Sequence, residues 1–187
     1  QGEKLRPVIT YNYDNEHITP YSFDVELDDN RMKAEYALSH QSAIYRITYE
    51  ADKPAYLIVN SRNGSIHANE NFISGRQQLN DNTNVYVYIE AQEKPISAGI
   101  LENGTIETSK DNAANACAAW RFADGTTTVN LRYGISFISE EQAEKNLHRE
   151  LKDYNIKALA EAGRQIWNET LGRIQVEGGT EDDKTVF

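Results

Sequence analysis

Two runs decide the fold class: Arg31-Met-Lys-Ala-Glu-Tyr-Ala-Leu38 and Ala43-Ile-Tyr-Arg-Ile-Thr-Tyr49. In the first, Met32, Ala34, Tyr36 and Leu38 fall on one face, and Arg31, Lys33 and Glu35 on the other. In the second, Ala43, Tyr45, Ile47 and Tyr49 repeat the pattern. A period of two belongs to a strand with one buried face, whereas a helix repeats every 3.6 residues.

The same punctuation runs from Tyr21 to Ile138, with turn signals roughly every 8–12 residues. Asp28-Asp29-Asn30 separates Tyr21–Leu27 from the first run, and Pro54 ends the second. Asn63-Gly64 and Asn103-Gly104 read as type I′ hairpin turns, because both central residues of such a turn need positive φ. Asp124-Gly125 reads the same way between Ala113–Phe122 and Thr126–Tyr133. Tyr56–Val59 is continuously apolar and is expected to be buried on both faces. Ala114, Ala116, Ala118, Trp120 and Phe122 share a face whose small residues would admit a second layer. Val85, Val87, Ile89 and Ala91 alternate with Tyr86, Tyr88 and Glu90. Roughly nine or ten strands are expected, which makes residues 1–138 a mainly β, antiparallel sandwich domain.

At Ser139 the period changes. Ser139 and Gln142 have the spacing of a capping box, and Glu140 and Glu141 suit the positive end of a helix dipole. Ala143, Leu147 and Leu151 follow at intervals of four. A second helix starts at Asn155 as N-cap, with the stripe Ile156, Leu159, Gly163, Ile166, Trp167, Leu171 and Ile174. Gly163 costs that helix about 1 kcal/mol against Ala, which fits either a close contact or an accident. Gly178-Gly179 breaks the chain, and Thr180 looks like a third N-cap above Glu181, Asp182 and Asp183. A helix beginning there has barely two turns before Phe187, so the natural protein is expected to continue. Residues 139–187 therefore read as a helical linker, and Ile166, Trp167 and Leu171 as the side chains that face the next domain.

The 187 residues can bury one good core without metals or disulfides. The net charge of -10 argues against nucleic acid and anionic membranes and is compatible with neutral glycans. No apolar run is long enough to cross a membrane as a helix, so no membrane insertion is expected. Eleven tyrosines against five phenylalanines suit half-buried strand surfaces, and less well a sugar-binding face. The one cysteine, Cys117, sits in an apolar run and reads as a buried, inert thiol.

Catalytic signatures are missing. His17, His40, His67 and His148 show no metal-ligand spacing, and no HExxH, CxxC, phosphate loop or GxSxG is present. The acid pairs Asp14/Glu16, Asp28/Asp29 and Glu181/Asp182 fit loop, turn and helix-start chemistry. Asn63-Gly-Ser65, Asn103-Gly-Thr105 and Asn168-Glu-Thr170 match a common glycosylation pattern, and two of them coincide with expected turns.

One set of residues is more specific. Gly134-Ile-Ser-Phe-Ile-Ser139 leads into Glu141-Gln-Ala143; then come Trp167-Asn168, Leu171 and Ile174-Gln-Val-Glu-Gly-Gly-Thr180 with Lys184 and Phe187. Upstream stand Tyr11-Asn-Tyr-Asp-Asn-Glu16, Pro20-Tyr21-Ser22, Val25-Glu-Leu27, Lys33-Ala-Glu35 and Tyr45-Arg-Ile-Thr-Tyr49. Together these resemble glycoside hydrolase family 92, the calcium-dependent α-mannosidases. The resemblance implies a galactose-mutarotase-like supersandwich, two linker helices and then an (α/α)₆ catalytic barrel. It implies inverting hydrolysis of terminal α-mannose, with a glutamic acid and an aspartate held roughly 6.5–9.5 Å apart to admit water. In the family those acids and the calcium ligands lie in the barrel, which would begin about where this chain ends. No catalytic, cofactor or metal residue is therefore expected here, and the chain alone is expected to be inactive. The implied partners are that barrel and a mannose-containing glycan, and the implied location is periplasmic or on a bacterial cell surface. The alternatives are a free-standing carbohydrate-binding module using Tyr86/Tyr88 or Tyr11/Tyr13, and a non-catalytic adhesion sandwich.

Overall fold

A computed structural model describes residues 2–3, 6–7, 15–27, 32–50, 52–80, 82–175 and 177–186. Tyr11, Tyr13, Asp14, the Asp28-Asp29-Asn30 turn, Arg31, Val176 and Phe187 lie outside the described residues. The first strands are β1 (Gly2–Glu3), β2 (Arg6–Pro7), β3 (Glu16–Ile18), β4 (Ser22–Leu27), β5 (Met32–Leu38), β6 (Ser42–Thr48), β7 (Tyr56–Asn60) and β8 (Gly64–Ala68). They are followed by β9 (Ile73–Asn80), β10 (Thr83–Ala91), β11 (Ser97–Glu102), β12 (Thr105–Glu107), β13 (Asn112–Ala114), β14 (Cys117–Arg121) and β15 (Thr128–Ser136). Three helices close the chain: α1 (Glu140–Glu150), α2 (Ile156–Leu171) and α3 (Glu181–Val186).

The architecture is three layers. A nine-stranded sheet in the order β13-β8-β9-β10-β15-β6-β5-β4-β3 carries a four-stranded sheet, β12-β11-β14-β7, on one face and helices on the other. The strand pairings are antiparallel throughout. Between the sheets, Ile66, Ile73, Val129 and Leu131 meet Ile100, Ala118, Trp120 and Phe122. The Trp120 indole is fully buried, and its one polar group is satisfied: Nε1–H donates to Asn69 O at 2.7 Å.

Three local expectations change. Tyr56–Val59 is the edge strand β7 of the small sheet, with Tyr56 and Ile58 exposed, so it is not buried on both faces. The run Ala113–Phe122 is two strands: it leaves the large sheet as β13, turns at Asn115 (φ 48) and enters the small sheet as β14. Asn63-Gly64 and Asp124-Gly125 likewise join strands of different sheets and are corners between layers. Asn103-Gly104 closes the β11–β12 hairpin with φ of 49 and 83, as a type I′ turn requires.

The tyrosine excess is absorbed by the strands. Tyr36, Tyr45 and Tyr133 stack on the large sheet with centroids 4.6 and 5.9 Å apart, and the Tyr36 and Tyr133 hydroxyls bond at 3.2 Å. Burial, with the Tyr36 hydrogen bond second, holds the Tyr133 phenol well above its usual range.

The opposite face of the large sheet seats the helices. The Ser139 hydroxyl accepts from Gln142 N–H at 3.1 Å, as its capping position predicts. From there α1 crosses the strands: Glu140 reaches the Ser74 hydroxyl on β9, and Glu150 accepts from Gln41 N–H beside β6 at 2.9 Å. Leu147 and Leu151 pack with Ala37 and Ile44 of the sheet and with Ile156 of α2. This approach is tight at Gly134 on β15, where a Cβ would stand 2.3 Å from Ala143 O and 2.9 Å from Leu147 N. A charged clasp reinforces it. Glu90 on β10 accepts from Arg132 Nη2 at 2.7 Å and pairs with His148 Nε2 at 2.7 Å. Arg132 also donates to Leu151 O at 3.1 Å and lies over the Tyr154 ring at 4.9 Å. With both side chains of the Arg132–Glu90 pair mostly shielded, removal of one partner would strand the other.

Gly134→Ala should cost about 1–3 kcal/mol, because the atoms it meets are helix backbone and cannot rotate away. Urea unfolding measures this; an unchanged midpoint would show that α1 does not lie this close.

Candidate domain-docking surface

Helix α2 is built in two halves. Asn155 Oδ1 caps it by accepting from Ala158 N–H at 3.1 Å. Ile156, only 5% exposed, then anchors it on Ala37 and Ile44, with Leu159 and Ala160 beside it. At Gly163 the helix touches the turn before β4: a Cβ there would sit 2.6 Å from Tyr21 Cβ. The glycine thus marks a close contact, and its loss of helix propensity has a structural counterpart. Beyond it the apolar stripe continues but the sheet beneath has ended. Ile166, Trp167 and Leu171 are 55%, 41% and 62% exposed. A groove of ≈ 180 Å³ remains between this overhang and the sheet, lined by Tyr21, Leu38, His40, Leu159, Ile166 and Trp167.

Strand register shows what else lies at this end. The pairs Tyr86↔Ser136, Gly134↔Ser42 and Ala37↔Ser22 align the exit of β15 with the β9–β10, β5–β6 and β3–β4 turns. Ile18, Leu38, Leu79, Phe137 and Ile138 are exposed there. With Ile166, Trp167, Leu171 and Ile174, nine of the twelve exposed large apolar side chains among the described residues gather at one end of the sandwich. Scattered apolar exposure is ordinary, whereas a concentration of this kind is a candidate interaction surface.

The other candidate residues take structural places. Glu181 and Asp182 lie exposed in the first turn of α3, where Thr180 Oγ1 accepts from Asp183 N–H at 3.2 Å and Asp183 Oδ2 accepts from Thr180 N–H at 2.8 Å. Asp183 is held below the usual carboxylate range by those Thr180 hydrogen bonds. His17 faces Asp24 at 3.5 Å, His67 faces Asp111 at 3.4 Å, and His148 belongs to the clasp. Tyr88 stacks on Phe72 at 5.0 Å and packs against the helix-side core, so it is no open sugar platform. Burial, then Glu144 and Glu90, push its phenol up to about 12. Cys117 is buried. No three His, Cys, Asp or Glu side chains gather as a metal-ligand set among the described residues. Phe137 and Ile138 were not among the expected interface residues; two adjacent large apolar residues just ahead of an N-cap were the available signal.

Comparison with known proteins places the chain in a family. Residues 3–136 match the glycosyl hydrolase family 92 N-terminal domain, and residues 142–187 match the glycosyl hydrolase family 92 catalytic domain. The chain belongs to glycosyl hydrolase family 92. A family 92 inverting mannosidase from Bacteroides thetaiotaomicron superposes with a TM-score of 0.79 over 91% of this chain and 25% of its own, at 25% identity. A family 92 α-mannosidase of the same organism, in complex with mannoimidazole, gives 0.80 over 96% and 28%, at 21% identity. An uncharacterized secreted glycosidase of Arthroderma benhamiae is 33% identical over 63 residues, or 33% of this chain and 8% of that protein. The chain thus spans about a quarter of the length of its solved relatives. The apolar end is where the chain passes from N-terminal-domain sequence to catalytic-domain sequence, since the two family matches meet between β15 and α1.

Leu171→Asp in this chain should change stability by no more than about 0.5 kcal/mol, because the side chain is exposed. In the full-length family 92 polypeptide it should lower the melting temperature. Equal loss in both would place Leu171 in this chain's own core.

Proposed function

We propose that this chain is the N-terminal domain of an α-mannosidase together with the first part of its catalytic domain, and that its apolar end seats the catalytic barrel of the same polypeptide. The observation that carries the reading is the gathering of exposed apolar side chains where catalytic-domain sequence begins. Ile166, Trp167 and Leu171 would then be covered by that barrel. α1 and α2 are fixed to the sandwich by the Gly134 contact and the Glu90 clasp, so the docking face is held rigid. The role is mechanical: a seated barrel keeps the walls of its cleft in register.

The proposed reaction is inverting hydrolysis of terminal α-linked mannose, as the names of the solved relatives suggest. One carboxylic acid would protonate the leaving oxygen and a second carboxylate would activate water on the opposite face of the sugar. Neither role is assigned to a described residue. Calcium is proposed as the metal of the intact enzyme; the described residues offer no ligand set that fits it, and no step is derived through it. Export to the periplasm or cell surface is part of the same proposal, supported by the relative described as secreted.

Mannose release from α-1,2-mannobiose, measured for this chain beside the full-length polypeptide, tests the reading. Activity confined to the long form and lost with a calcium chelator is expected. Activity in the short chain would mean that its own carboxylates perform the chemistry. Inactivity of both, with binding of the disaccharide to the short chain, would make it a carbohydrate-binding module.

A further inference from the structure

The docking end has two chemically different halves. Under β15, β6, β5 and α2 it is apolar, as described above. Under β8, β9 and β10 it is rich in amides: Asn63, Gln77, Asn80, Asn82 and Asn115 cluster there with Arg62. The cluster is tied together. Arg62 N–H donates to Gln77 Oε1 at 2.7 Å, Asn63 N–H to Asn115 Oδ1 at 2.8 Å, and Asn82 N–H to Asn80 Oδ1 at 3.3 Å. Gln78 N–H donates to Asn63 O at 3.1 Å, which joins the β7–β8 corner to β9. The side-chain oxygens of Gln77, Asn80 and Asn115 are thereby engaged with backbone, which sets the orientation of each amide group. The six residues are exposed or half-buried.

We propose that this amide rim binds the leaving-group sugars of a neutral oligosaccharide during its hydrolysis. The proposal rests on the mannosidase reading. If the barrel supplies the acid and base, it must hold the terminal mannose, and what can reach this chain is the rest of the glycan. The rim suits that ligand. The anchored amides of Gln77, Asn80 and Asn115 offer oriented N–H donors, and the unengaged Arg62 guanidinium and Asn82 amide add further donors and an acceptor for vicinal hydroxyls. Five of the six groups carry no charge, and the chain's net charge of -10 opposes anionic ligands. Leu79, exposed within the rim, continues the apolar half, so a barrel seated on that half has the rim at its edge.

The test uses Arg62→Ala and Asn82→Ala together in the full-length polypeptide, since the side chains of these two residues make no hydrogen bond or ion pair among the described residues. Two substrates are compared: an α-1,2-linked mannotriose and 4-nitrophenyl α-mannoside, which has no second sugar. The expected result is a fall of about tenfold in kcat/KM for mannotriose, carried by KM, which corresponds to about 1.4 kcal/mol. The aryl mannoside should change less than about twofold, well inside that margin. Equal falls for both substrates, or no change for either, would overturn the proposal. Wild-type enzyme that cleaves neither substrate would overturn the mannosidase reading itself, and this proposal with it.

Discussion

Helix α1 lies so close to β15 that a single methyl group at residue 134 would collide with its backbone. That contact sets the height of the helical layer over the large sheet, and the rest of the chain's ending follows from it. At this spacing Leu147 and Leu151 reach Ala37 and Ile44, and Ile156 completes the same cluster from α2. The position of α2 in turn decides which of its residues find a sheet beneath them. Up to Gly163 they do; from Ile166 onward they extend past the edge. A rigid overhang with an apolar stripe is the outcome of a geometric limit, since the stripe is longer than the surface available to bury it.

Electrostatics work in the same direction. The Glu90 carboxylate is shared by Arg132 on the neighbouring strand and His148 on α1, and Arg132 also binds the carbonyl at the end of that helix. Charged groups shielded from water hold position well only when each is paired, and here the pairing crosses from sheet to helix. The exposed pairs, such as Glu161 with Arg164 on the polar side of α2, add little to stability, although Arg164 holds Glu161 down to about 2. The shielded pair fixes α1 to the large sheet, whereas the exposed pairs fix nothing across layers.

Much of the fold was legible because strand and helix periods differ. The alternation in β5, β6 and β10 identified strands and the face that meets the small sheet, but it missed that the other face is covered too: Ala37, Ile44 and Tyr88, opposite the expected stripes, pack beneath the helices. Ser139, Asn155 and Thr180 each cap a helix as their positions suggested. Partner sheets were not legible. Asn-Gly and Asp-Gly report a backbone turn but not its kind: Asn103 and Gly104 both take positive φ in a hairpin, whereas at the corner between layers only Asn63 of the Asn63-Gly64 pair does. The break at Asn115 was hidden for a related reason, since a one-residue kink leaves the run of small residues unchanged. For the site, the stripe of α2 was visible but its overhang was not. Exposure depends on where the sheet stops, which is a property of register across six strands. Phe137 and Ile138 became meaningful only once Leu38, Leu79 and α2 were found at the same end.

The central claim is that this one end of the sandwich is a covered interface in the working enzyme. Backbone hydrogen exchange, compared residue by residue between this chain and the full-length polypeptide, addresses it most directly. The account predicts added protection at residues 137–138 and 164–174, with the outer strand β7 unchanged. Protection that appears instead around Tyr56 and Ile58, with 164–174 unaltered, would contradict it.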